Sequence, residues 1–367
     1  MTTNELIAVL RLMSIPNVGD IIAKRLIGIF GSAEAIFTQK KASLAKVDGI
    51  GNHILKRILE EKYLKEAERE YDYIQKNNIT YSYFEDDRYP ERFKHCIDAP
   101  VLLFTRGNIQ LSQRKVISVV GTRNITSYGT DFCEKLVEDL APLDPIIVSG
   151  FAYGVDICVQ KAAIKNGLQT IGCLAHGLNQ IYPKIHKKYM ASIEENGGFV
   201  TEFWSSSHPE RENFLKRNRV IAGMSEATIV IESAEKGGSL VTADIAHSYN
   251  RDVFAVPGRA GDKFSMGCNT LIKQQKAQML TSAADLIYML NWDVEEKSVT
   301  TIQKQLFVDL DHTEQKIYDY LIQGGKQLLD SIALDCQLPV FKVSSTLLGM
   351  EMKGVVRPLP GKLFEAL

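Results

Sequence analysis

The sequence predicts an α/β protein: a parallel sheet at its centre, a helical module ahead of it, and a small helix-and-hairpin domain behind it. Three observations carry that expectation. Residues 5–60 hold a helical period, residues 116–290 alternate short β-branched runs with helical stretches, and from 313 onward three helical patterns lead into two short strands. At 367 residues the chain is long enough for two or three domains, each with its own core.

The first module carries a weak internal repeat. Ile15-Pro-Asn-Val-Gly19 and Val47-Asp-Gly-Ile-Gly51 each precede an amphipathic helix containing Lys-Arg, at an offset of 32 residues. Each reads as a tight hairpin whose small residues leave backbone N–H groups free at the next helix start, a geometry suited to holding phosphate. Tandem helix-hairpin-helix motifs have this form. A helical module used for packing or protein contacts would read the same way.

In the central region the candidate strands are Val116–Val120, Ile146–Val148, Thr170–Leu174, Phe199–Thr201, Thr228–Ile231, Val253–Val256 and Gln278–Leu280. Helices fit between them at 127–140, 154–166, 184–196, 214–224, 239–249 and 268–276. Strands that alternate with helices imply a parallel sheet covered on both faces, an extended Rossmann-like fold. The domain spans expected are 1–75, 76–292, a linker at 293–309, and 310–367. In the last of these, helices at 313–323, 328–336 and 340–353 and strands around the Pro360-Gly361 turn spell a winged helix. Its third helix has only Lys342 and Lys353 as cations, so protein contact is favoured over entry into a major groove.

Composition narrows the function classes. With 45% apolar and 24% charged residues the chain is globular, and a formal net charge of −1 means that affinity for a polyanion needs local clusters of Lys and Arg. No run of 18 apolar residues occurs and the N-terminus has no basic region ahead of its apolar stretch, so a cytoplasmic location without a membrane partner is expected. The six cysteines lie far apart with no C-x-x-C pair. Reduced, buried thiols and no metal or other cofactor are therefore expected.

Ligands of open parallel sheets gather beyond the carboxyl ends of the strands, and the informative loops fall there. Gly121, Thr122 and Arg123 follow the first strand and supply a tight turn, a hydroxyl and a guanidinium that can fork two phosphate oxygens. Ser149, Gly150 and Gly154 form the second turn, which either admits a phosphate or packs helix on strand. Lys184, Lys187 and Lys188 stand at a helix start that ordinarily prefers acids, so they await an anion or form a solvated face. Phe214, Lys216, Arg217, Asn218 and Arg219 are the densest cluster, and Phe214, Arg217 and Asn218 can share one helix face above Ile221. An aromatic joined to a guanidinium suits single-stranded nucleic acid, although Phe214 also fits a core. Gly237, Gly238 and Ser239 offer a serine N-cap and free amides at one more helix start.

Taken in order, these segments resemble the DNA-processing protein A (DprA/Smf) family. The resemblance rests on Arg88-Tyr-Pro-Glu-Arg-Phe93, Ile97-Asp-Ala-Pro100, G-T-R at 121–123, S-G-F-A-Y-G-V-D at 149–156 and Y-P at 182–183. It continues through F-L-K-R-N-R-V-I-A-G at 214–223, G-G-S-L-V-T-A at 237–243, F-A-V-P-G at 254–258 and G-C-N-T-L-I at 267–272. It implies single-stranded DNA binding by the Rossmann-like core, homodimerisation through that core, and loading of the RecA recombinase in natural transformation and recombination. It also matches Arg123, Lys184, Arg217 and Arg219 to the family's basic positions. Departures are Thr122 for serine, Asn179 for aspartate, Leu215 for proline, and Gln275-Lys276 for a Gly-Ala step.

The expectation is thus a binding protein and not an enzyme. The alternative is a nucleotide-binding Rossmann hydrolase of the lysine-decarboxylase-like type. That class uses P-G-G-x-G-T-x-x-E, and Lys236–Asp244 lacks both the G-x-G-T order and the glutamate. No P-loop motif occurs, and no G-x-G-x-x-G follows the first strand.

Overall fold

A computed structural model of the chain describes residues 1–112, 114–292, 310–359 and 363–367. The expected linker at 293–309 and the Pro360-Gly361 turn lie outside the described residues. The chain divides into two compact units, Met1–Asp293 and Val294–Leu367.

The first unit opens with six helices from Thr3–Ser14 to Glu61–Lys76. The repeat seen in the sequence is also a repeat of structure. Val18 N donates to Ile15 O at 3.0 Å, and 32 residues on Ile50 N donates to Val47 O at 3.1 Å. The positive φ each hairpin needs falls on Asn17 (φ 70°) and Gly49 (φ 89°), residue types that tolerate it. Gly19 and Gly51 then cap the helices Asp20–Phe30 and Asn52–Arg57 without a side-chain bond.

Behind this module stands one sheet of nine described strands: β1 (Thr80–Tyr83), β2 (Leu102–Gly107), β3 (Val116–Val120), β4 (Ile146–Ser149), β5 (Thr170–Cys173), β6 (Gly197–Thr201), β7 (Ala227–Val230), β8 (Asp252–Ala255) and β9 (Gln278–Met279). Their order is β1-β2-β6-β5-β4-β3-β7-β8-β9. From β6 to β9 all pairs are parallel, while β2 joins β6 and β1 joins β2 antiparallel. The order reverses at β3, which places a crevice beyond the carboxyl ends of β3, β4, β5 and β7. Strands β3 and β4 are buried at every position because helices cover both faces. The antiparallel strands β1, at the edge, and β2, inside it, are not among the expected ones, because Tyr-Ser-Tyr and Leu-Phe-Thr-Arg lack the β-branched run that marks a doubly covered parallel strand.

Two further expectations are corrected here. Residues 184–196 are not one helix but a 3-10 turn, Lys184–Tyr189, followed by the α-helix Met190–Glu195. Five of the six cysteines are buried as expected, but Cys158 is half-exposed. It lies at the flank of the helix Val155–Lys165, whose Val155, Val159 and Ala162 face the core.

The second unit holds the helices His312–Gly324, Leu329–Asp335 and Val340–Met352, with a small sheet ordered β10 (Gln327–Leu328), β12 (Leu363–Ala366), β11 (Val356–Leu359). It is a winged helix with a core of its own, including Ile317, Leu321, Val343, Leu347 and Met350. Asp311 and Glu314 close a reciprocal capping box at its first helix. The third helix turns Phe341 (76%), Leu348 (60%) and Met352 (86%) to solvent.

Candidate nucleic-acid interface

The crevice is built by loops that each continue one strand. After β3, Gly121 is tightly enclosed: a Cβ there would stand 2.4 Å from Val155 Cγ2. Thr122 N donates to Glu232 O (2.7 Å) and Thr122 O accepts from Val155 N (3.1 Å). The loop is thereby pinned to the neighbouring turns, and Arg123 projects from it exposed. Gly154 has φ +74°, and a Cβ there would sit 2.1 Å from Thr122 O. Only glycine lets the second turn cross the first so closely.

Arg217 holds the floor. It is 5% exposed, and its Nη1 donates to Gly150 O at 2.6 Å and to Cys173 O, tying together the ends of β4 and β5. Asp156 Oδ2 and Arg217 Nη1 share the space beside Gly150, each within 2.6 Å of where its Cβ would lie. Burial raises the Asp156 carboxyl pKa and Arg217 opposes that rise, while burial lowers the Arg217 guanidinium pKa and Asp156 opposes it. Ser149 is fully buried and donates to Val119 O at 2.6 Å. Arg217, Ser149 and Gly150 therefore shape the crevice from beneath.

Above that floor lies a chain of aromatic and cationic groups. Phe214 is half-buried, with the Arg123 guanidinium 5.3 Å and the Arg217 guanidinium 5.8 Å from its ring centroid. Tyr182 meets the same ring edge-on at 5.5 Å and is 39% exposed. Lys184 follows two residues later, exposed, with Lys187 and Lys188 exposed on the same turn. That turn is anchored by His186, 4% exposed, whose Nδ1 lies 3.0 Å from Phe151 O and whose ring packs against Phe151 and Tyr153. On the far side of β3, Asn218 Nδ2 donates to Gly238 O at 3.4 Å.

Two sequence expectations about the crevice need correction. Lys216, Arg217 and Arg219 do not face the crevice together, because a helix turns about 100° per residue and spreads such a run over three directions. Arg219 points to the opposite flank, where it pairs with Asp20 at 2.9 Å and with Glu202. Lys216 is exposed but lies on that flank too, close enough to Glu202 to favour its ionised form. Ser239 is not an N-cap. Gly237 caps the helix Gly238–Ser248, and Ser239 is buried with its hydroxyl bonded to Ser233 Oγ at 3.0 Å. Among the described residues, no side chain caps that helix start.

Two residues beside the aromatic chain were not singled out from sequence. In the sequence Tyr182 stands out only as part of the Y-P pair at 182–183. Arg211, exposed, opens the helix Arg211–Met224 one turn ahead of Phe214. Its i, i+3 spacing to Phe214 was the available signal.

The chain matches DNA recombination-mediator protein A over residues 80–291, a DprA winged helix domain over 308–362, and a SAM-like helix-hairpin-helix tandem over 9–61. DNA processing protein DprA of Streptococcus pneumoniae is 38% identical over 202 residues, 55% of this chain and 71% of that one. Protein Smf of Escherichia coli K12 is 33% identical over 282 residues, 74% of each chain. The X-ray structure of DNA processing protein A from Streptococcus pneumoniae superposes with a TM-score of 0.66 at 30% identity, covering 78% of this chain and 98% of that one. A structure of DNA processing protein A from Helicobacter pylori, described as giving insight into its single-stranded DNA binding mode, gives 0.52 at 30% identity over 58% and 96%.

Proposed function

Because this chain belongs to the DNA recombination-mediator protein A family, we propose that it binds and protects single-stranded DNA in the crevice at the carboxyl ends of β3, β4 and β5. The observation that carries this reading is the continuous run Arg123–Phe214–Tyr182 leading into Lys184, an edge-on aromatic pair flanked by exposed cations. Single strands need both parts. Arg123, Lys184, Lys187, Lys188 and Arg211 attract phosphates, and Phe214 with Tyr182 stacks bases, each stacked base contributing ~1–3 kcal/mol. Thr122, Gly237 and Gly238 add backbone and hydroxyl donors at the rim. Ser149, Gly150, Gly154, Arg217 and Asn218 act as positioning residues, and Arg219 fastens the helix to the first module.

The protein breaks no bond in this reading. It works as a cytoplasmic homodimer that hands the strand to a RecA-type recombinase, with a helical module at 1–75, the binding core at 76–292, a linker at 293–309 and the winged helix at 310–367. The winged helix serves protein contact, as its exposed Phe341, Leu348 and Met352 suit an apolar partner better than a phosphate backbone. The test is anisotropy of a labelled oligonucleotide, as single strand and as duplex, over a salt series. Tight, salt-dependent, sequence-tolerant binding of the single strand is expected, and equal affinity for both forms overturns the reading. For the hand-over, the protein should speed RecA-dependent ATP hydrolysis on single strands coated with single-strand-binding protein.

A further inference from the structure

A cavity of about 1040 Å³ lies at the other end of the helix Arg211–Met224 from Phe214. Met224 lines it, about 15 Å from Phe214 along the helix axis. Its floor is one face of the sheet. Thr80 and Ser82 of β1 stand opposite Thr105 and Leu103 of β2, and Thr105 stands opposite Val200 of β6, so these side chains share that face.

Two walls rise from the floor, and both are held in place. The first runs from Asp87 to Arg92. The hydroxyl of its buried Tyr89 donates to Pro100 O at 2.7 Å, and Arg92 O accepts from Arg251 Nη2 at 2.5 Å. The second carries Gln110, Arg114 and Lys115. The buried Gln169 grips it at both backbone groups of Gln110, its Oε1 accepting the N–H at 3.0 Å and its Nε2 donating to the carbonyl at 2.9 Å. Glu226 joins the walls, with Oε2 3.1 Å from Arg92 Nη2 and Oε1 accepting Val116 N at 3.0 Å.

Four cations, Arg88, Arg92, Arg114 and Lys115, line this space together with the carboxylates of Asp87 and Glu91. Glu91 is engaged by Lys94 at 3.3 Å and His95 at 4.0 Å. Arg92 and Arg114 are oriented through Nη2 by Glu226 and Asp144, which leaves Nε and Nη1 of each guanidinium for a second anion. Among the described residues Arg88 and Lys115 have no carboxylate partner, and Lys115 Nζ lies 5.6 Å from the Trp292 ring centroid.

We propose that this cavity binds a nucleoside phosphate, its phosphates held by Arg92, Arg114 and Lys115 and its nucleoside lying on the sheet face. Arginines oriented in advance fork phosphate oxygens, and an anion relieves the crowding of like charge. The floor mixes apolar Leu103, Val200 and Met224 with the hydroxyls of Thr80, Ser82 and Thr105. That mixture suits sugar hydroxyls and base edges, whereas an acyl chain would bury those hydroxyls without partners. The volume stands at the upper end of the range for small organic ligands, about 300–1,000 Å³. Two sources carry this chemistry, a free nucleotide and the phosphorylated end of a DNA strand. The inference does not rest on the crevice reading, since Arg123, Phe214, Tyr182 and Lys184 do not line the cavity.

The test is calorimetric titration of ATP into the full chain. Saturable binding is expected, with inorganic phosphate binding far more weakly. Arg88→Ala and Lys115→Ala should each weaken ATP binding about tenfold, while Arg123→Ala and Phe214→Ala leave it unchanged. Photolabelling of wild-type protein with 8-azido-ATP should mark peptides from residues 80–92 or 103–116, and this readout needs no variant to fold. Repeating the titration on protein saturated with an oligonucleotide separates the sources. Exclusion of ATP by a 5′-phosphorylated strand, but not by an unphosphorylated one, assigns the site to a strand end, and undiminished ATP binding assigns it to a free nucleotide; both support it. No saturable binding of ATP overturns the proposal. So does labelling confined to 210–224 with loss of binding in Arg123→Ala, which would put the nucleotide in the crevice, or inorganic phosphate binding as tightly as ATP.

Discussion

The Arg123 guanidinium stands 5.3 Å from the centroid of the Phe214 ring, so a loop continuing β3 and a helix that begins well after β6 present one shared surface. Each can contact a different part of a nucleotide, the cation a phosphate and the ring a base. Replacing either with alanine should weaken single-strand affinity by ~1–3 kcal/mol. Only Arg123→Ala should also flatten the salt dependence, by about 0.7 in the logarithmic slope for each phosphate that is no longer neutralised. A double-mutant cycle followed by anisotropy should give a coupling of ~0.5–1 kcal/mol. Fully additive losses would show that the two side chains meet the strand independently.

Arg217 should behave differently from Arg123 although both are arginines of the same region. Its Nη1 holds Gly150 O and Cys173 O, and Asp156 lies beside it in the protein interior. Arg217→Met leaves a buried carboxylate and two carbonyls without their partner and should lower folding stability by about 3–5 kcal/mol. Arg123→Ala, at an exposed position, should leave the urea midpoint unchanged. A midpoint for Arg217→Met equal to wild type would place that guanidinium among the binding groups instead of the supporting ones.

The parallel strands, the crevice loops and the winged helix could be read from the sequence because each rests on a local signal. Buried parallel strands give short β-branched runs, and glycine turns mark where backbone must cross backbone, as at Gly154 over Thr122. What could not be read was direction. Lys216, Arg217 and Arg219 look alike in the sequence, yet the helix sends one to solvent, one beneath the crevice and one to Asp20, a residue far away in the chain. Strands β1 and β2 escape such a reading because neither carries the β-branched run of the parallel strands.

His176 and His186 set an acid limit on stability. Both are buried, and burial lowers both imidazole pKa values. Their Nδ1 atoms lie 2.9 and 3.0 Å from the Gly177 and Phe151 carbonyls. In the unfolded chain each takes up a proton as pH falls through about 6.5, while the folded protein resists. The unfolded state therefore binds more protons in that window, and stability falls as pH drops from 7 through 6.5 until the lower folded pKa values are reached. Glu202 and Asp156, whose pKa values are raised by burial, act in the opposite sense at more acidic pH. Urea unfolding at several pH values should show a shallower loss between pH 7 and about 5.5 for the His176→Asn, His186→Asn double variant. An unchanged slope would assign the acid limit to other groups.

Every group in the aromatic and cationic run lies in Met1–Asp293, and that unit has its own apolar clusters, separate from the one in the winged helix. A chain ending at residue 292 should accordingly fold by itself, since those three clusters are built from residues between Leu6 and Trp292. It should unfold cooperatively in urea and bind a labelled single strand within about twofold of the full chain, a difference of ~0.4 kcal/mol. The isolated winged helix, whose exposed third helix carries Phe341, Leu348 and Met352, should bind the same oligonucleotide only weakly. Anisotropy on the two halves decides the matter. A drop of about tenfold on truncation, ~1.4 kcal/mol, would mean that the second unit contacts the strand directly, and the interface would have to be redrawn to include it.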